Sequence, residues 1–174
     1  MDSEGATRRI LITGIAAAIV NGLLAGGNVD RAIVARPAWT GVGLAAWADY
    51  SRQADLGNGQ VFYPAMAIGG TLLCVLAAIL FLRAGRVPQE AAWPVLLGAS
   101  LMVICLPVSF VAAPFILSLR HIDNQDIAAL GRAFDGSFFW GRFQMALHVL
   151  SFFANLWAIS ALSRNDSAGT QRPA

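Results

Sequence analysis

Four apolar runs, at about residues 10–26, 63–82, 93–119 and 138–162, decide what this chain can fold into. Each is near or above the roughly 20 residues a helix needs to cross a hydrocarbon core. Lipid offers no hydrogen bonds to a bare backbone, so spanning segments are helices or closed barrels, and continuous runs of this length select helices. The expected fold is all-α: a single four-span membrane domain, residues 1–174, folded as an integral membrane four-helix bundle. Composition agrees, because 57% of residues are hydrophobic and only 13% charged, against roughly a quarter charged in soluble domains. So few charges cannot cover a water-facing surface.

The first run carries Gly14, Ala18, Gly22 and Gly26 at four-residue spacing. A stripe of small residues lets another backbone approach closely, which is how helices associate once lipid removes the hydrophobic drive. The partner is either another span or a second copy of the chain, and in the second case the stripe is the face of a homo-oligomer. Arg8 and Arg9 before the run and Ala25-Gly26-Gly27 after it also suit a secretion signal, but the remaining spans need this helix as a wall.

The longest connection, about residues 27–62, should hold an interfacial helix near residues 40–52, anchored by Trp39, Trp47 and Tyr50. Leu56-Gly57-Asn58-Gly59 reads as a turn, and Tyr63-Pro64 as the opening of the second span. The third connection, about residues 120–136, reads as a short amphipathic helix, with Ile127, Leu130 and Phe134 on one face and Asp126 in its first turn. Pro107 and Pro114 fall inside the third run, where each removes a backbone donor and favours a kink that would open a pocket.

All twelve basic residues are arginines, and the net charge is +2. No run of basic residues exists, so nucleic acid is not an expected partner. Arg8, Arg9, Arg83, Arg86, Arg164 and Arg172 fall on one side with short loops, balanced there by Asp2, Glu4, Glu90 and Asp166. By the positive-inside rule that side is cytoplasmic. The expectation is an integral protein of a bacterial inner membrane with both termini in the cytoplasm.

Chemistry, if present, should lie in the last span. Gln144, His148, Ser151 and Asn155 are spaced by four, three and four, which is one helical face. Polar side chains at that depth must face protein, a cavity or a ligand. One reading is packing, with these groups bonded across helices. The other is a site in which His148, Arg142 and Gln144 are catalytic, while Asn21, Asp30, Arg31, Trp39, Trp47 and Tyr50 bind substrate. Histidine would move protons or serve as an axial ligand. Arg142 would hold an anionic oxygen or pair with an acid such as Asp30.

The two histidines, His121 and His148, lie too far apart along the chain to bracket one haem, since His148 sits roughly 15 Å into its span. The cofactor is thus either none or a haem with a single axial histidine. No Glu-x-x-His pair or Cys cluster supports a metal centre. Cys74 and Cys105 read as small packing residues.

The glycine-rich first span ending Gly22-Leu23-Leu24-Ala25-Gly26, the Ala112-Ala113-Pro114 end of the third span, and a fourth span opening on aromatic residues, Trp140 and Arg142 resemble the anthrone-oxygenase-like integral membrane family (the DUF1772 superfamily). The resemblance implies a small membrane oxidoreductase or oxygenase acting on a hydrophobic, aromatic small molecule. The alternative from the residues alone is a non-enzymatic membrane protein, either a transporter subunit or an assembly factor.

Overall fold

The structure, a computed structural model, describes residues 3–84 and 88–169. Arg86, Arg172 and Asp2, used above to orient the chain, lie outside the described residues, as do the side chains of Glu4 and Asp166. All regular structure among the described residues is helical: α1 (Ser3–Asp30), α2 (Arg36–Val42), α3 (Leu44–Gln53), α4 (Gly59–Arg83), α5 (Ala92–Leu117) and α6 (Ile127–Gly169). Four helical stretches are long and apolar enough to cross a membrane, and they pack as an all-α bundle. Gly14 meets Ile159 and Gly22 meets Phe152, so α1 and α6 run antiparallel and the chain's two ends share one end of the bundle. The other end is called distal below.

A bundle in water would hide its large apolar side chains. Here Phe110 is 79% exposed, Trp93 75% and Leu72 64%, and Ile19, Leu82 and Phe153 are exposed as well. The interior is instead built largely from small residues: Ala17, Cys74, Ala78, Ala91, Ala99, Ala158 and Ala161 lie around Ile10, Met102 and Leu162. That inversion is what lipid selects, because packing rather than apolar burial then holds helices together.

The glycine stripe is used within the chain. Gly14 and Ala18 are buried, and Gly22 lies 3.0 Å, measured from where its Cβ would stand, from the Phe152 ring. Only Gly26 of the four is exposed.

The helices run further than the hydropathy runs. The first span was expected to stop at residue 26. Instead α1 passes through a π-helical turn (Arg31–Ala35) into α2, so the start of the expected loop is helix. The expected interfacial helix is two pieces, α2 and α3, reversed at Gly43, whose φ of 97° is the left-handed region that a side chain would strain. A second π-helical turn (Ala54–Asn58), kinked at Gly57, joins α3 to α4. The second span opens at Gly59, so Pro64 sits inside it rather than at its start. Pro107 and Pro114 are accommodated within the single helix α5. The expected separate helix after residue 120 is the first part of α6, which at 43 residues is about 65 Å long. Asp126 caps it, accepting from the Ala129 N–H at 2.9 Å.

At the distal end a second small core forms from Trp47, Ala48, Leu119, Leu130, Ala133 and Phe134. Arg52 fastens it. Its guanidinium donates to the carbonyls of Leu119 (2.9 Å) and Ile122 (2.6 Å), to Asn124 (2.6 Å) and to Asp49 (2.8 Å).

Candidate functional site

The polar stripe of α6 faces inward and meets a matching stripe on α5. His148, Ser151 and Asn155 are buried, and Gln144 is half-buried. Nearest the middle of the bundle, Asn21 Nδ2 donates to Ser151 Oγ (3.1 Å) and to Cys74 Sγ (3.2 Å), while Ser151 donates to the Gly98 carbonyl (3.1 Å). Asn155 Nδ2 reaches the same Cys74 sulfur at 3.6 Å. One step toward the distal end, Asn28 Nδ2 meets His148 Nδ1 at 3.0 Å, and His148 Nε2 meets Cys105 Sγ at 3.4 Å. One step further, Gln144 donates to Ser109 at 2.9 Å. The seam thus joins α1, α4, α5 and α6 by side-chain bonds where water is absent.

Two glycines make room for it. A Cβ on Gly70 would stand 2.6 Å from Asn21 Oδ1, and one on Gly98 would stand 3.1 Å from Asn155 Oδ1. Asn21 Oδ1 itself, like Ser51 Oγ, is buried with no hydrogen-bond partner among the described residues.

The expected site does not come together as one pocket. Asn21, Gln144 and His148 belong to the seam. Arg142 does not: two residues from Gln144 is about 200° around a helix, and Arg142 is exposed on another face. It pairs with no acid, Asp30 included, among the described residues. Asp30 is exposed. Arg31 pairs with Asp55, a half-buried guanidinium on a buried carboxylate, and lies over the Tyr63 ring at 5.0 Å. Trp47 is not a headgroup anchor: at 1% exposure it is the centre of the distal core, edge-on to Phe134 at 5.0 Å. Trp39 stacks between Tyr50 (5.4 Å) and Phe138 (5.7 Å), with Tyr50 exposed. These aromatics therefore cap the distal core and not His148.

Both His148 ring nitrogens have protein partners, Asn28 and Cys105, and the side chain is 4% exposed. No group of three or more metal-binding side chains occurs among the described residues.

Arg142 instead lines a recess of about 430 Å³ with Arg36, Asp135, Phe115, Phe139 and Trp140. Gly136 and the Phe115 ring meet closely there, leaving no room for a Cβ on Gly136. Phe115 also borders a second, more apolar recess of about 380 Å³ beside Pro114, where the proline kink was expected to open space. Arg36 is held above Phe138 (5.1 Å) and Phe134 (6.0 Å) by cation–π contact.

Sequence reasoning missed Asn28, Cys105 and Ser109 in the seam, and Arg36 and Asp135 at the recess. A signal for the first group existed. Asn28 is two turns after Asn21, and Gly98, Cys105 and Ser109 share a face of α5 whose spacing matches that of α6. Arg36 and Asp135 come from helices expected to be loop or interface, and nothing in their spacing joins them.

No known protein-family model, curated protein or solved structure matches this chain.

Proposed function

We propose that this chain is a small membrane oxidoreductase or oxygenase acting on a hydrophobic, aromatic molecule, and that the molecule binds in the distal recess rather than at the buried histidine. One observation carries this reading: two guanidiniums, one carboxylate and three aromatic rings surround a single opening of a size that suits a small ligand. The seam of α6, none of whose residues lines that recess, holds the scaffold. On this reading Arg142 contacts substrate, while Gln144 and His148 position the helix that carries it. The proposed setting is a bacterial inner membrane with both termini cytoplasmic, so that substrate enters from the opposite face. Self-association through the glycine face would depend on Gly26, the member left open.

The test is oxygen consumption by the protein in lipid nanodiscs, offered a panel of polycyclic phenols, with products followed by mass spectrometry. The reading predicts uptake that depends on both protein and phenol and falls sharply in Arg142→Gln. Uptake unchanged in that variant, or none with any phenol, overturns it.

A second reading has its own support. The seam spends its polar groups on helix contacts, as a non-enzymatic transporter subunit or assembly factor would. Crosslinking in native membranes separates the two: a stoichiometric partner protein together with no oxygen chemistry favours the second.

A further inference from the structure

Arg36, Arg142 and Asp135 line the recess. None of the three makes an ion pair within 4.0 Å, or a side-chain hydrogen bond, among the described residues. At the same end Arg31 pairs with Asp55, and Arg52 with Asp49 and two carbonyls, while Asp30, Arg120 and Arg132 make no ion pair among the described residues. Around this opening two guanidiniums and one carboxylate line one space without forming an ion pair among the described residues.

The electrostatic sum is two positive groups against one negative. Arg36 is already stacked on Phe138 and Phe134, which orients its guanidinium and leaves its N–H edges for a further acceptor. Phe139 and Trp140 supply flat apolar surface beside it, their rings edge-on at 5.4 Å and 87°.

We propose that the recess selects an aromatic monoanion: a one- to three-ring body on Phe139 and Trp140, with one carboxylate, sulfonate or ionised phenol bridged by Arg36 and Arg142. Asp135 disfavours a second negative group by like-charge repulsion. The inference rests on the reading that the recess is the substrate site, and it adds the charge class of the substrate. Guanidinium–carboxylate bonds are charge-assisted and directional, which is why arginine rather than lysine suits this role.

The test compares anthracene-2-carboxylate with its neutral carboxamide, using probe anisotropy in phosphatidylcholine nanodiscs corrected against empty discs. The carboxylate should bind at least about tenfold more tightly, the ratio expected for one charge-assisted contact. Arg36→Gln and Arg142→Gln should each weaken the carboxylate about tenfold and leave the carboxamide within about twofold, while Asp135→Asn should tighten the carboxylate. Should an arginine variant fail to fold, the selectivity of the unaltered protein still decides. Equal binding of the two probes, untouched by the arginine changes, overturns the monoanion inference and leaves the recess as an aromatic site. If neither probe binds above empty discs, both readings fall. If added phosphatidylglycerol displaces the carboxylate beyond the change seen in empty discs, the occupant is a lipid headgroup and the inference is wrong.

Discussion

At the scale of single residues, close approach and polar bonding are coupled at Gly70. A methyl there meets Asn21 Oδ1 at 2.6 Å and Val20 at 3.1 Å. Gly70→Ala should therefore lower stability by about 1–3 kcal/mol, the usual cost of overpacking. Asn21→Ala alone should also cost, because Ser151 and Cys74 lose their donor. The double variant should cost less than the sum, since the alanine methyl then occupies vacated space. Thermal denaturation of the three variants in detergent measures that coupling, and strict additivity would show that the approach does not matter. His148→Leu should cost on the order of 1–2 kcal/mol for two lost bonds, with no change in visible absorption. A Soret band in the parent that vanishes in this variant would restore the axial-ligand reading. The seam was legible in the sequence wherever polar residues recur inside an apolar run, as at Gln144, His148, Ser151 and Asn155. Arg142 was misplaced because sequence proximity was taken for a shared face, although two residues along a helix point nearly opposite ways.

At the scale of elements, the apolar runs marked four helices and missed where they end. Hydropathy reports what touches lipid; helix continuation depends on caps and on what docks beyond the lipid. Asp126 starts α6 well before the last apolar run, and Leu130 and Phe134 are buried there because α3 and Leu119 pack with them. That docking depends on Arg52. Arg52→Ala removes four bonds to a single side chain, and about 2 kcal/mol or more of local stability should go with it. Hydrogen exchange should then rise across α3 and the 118–125 segment while α1 and the core of α5 stay protected; uniform loss of protection would mean that α3 is integral to the bundle. Gly43→Ala, forced to a φ of 97°, should loosen the same region by about 1–2 kcal/mol.

At the scale of the whole molecule, four crossings put both chain ends on one side of the membrane, a result that does not depend on which side it is. Reporter fusions at residue 1 and residue 174 should give the same signal, and opposite signals would require an odd number of crossings. Of the four spans, the one in α6 is the least apolar, because it carries the seam. On its own such a segment partitions into a bilayer less favourably than the other three. Its polar face is bonded against α1, α4 and α5, which leave the ribosome earlier. The seam therefore predicts an order of biogenesis: the last helix should enter the membrane onto a template already assembled, and damage to Asn21 or Asn28, far upstream in the chain, should appear first as failed integration of the C-terminal helix rather than as loss of any contact that a folded protein would report.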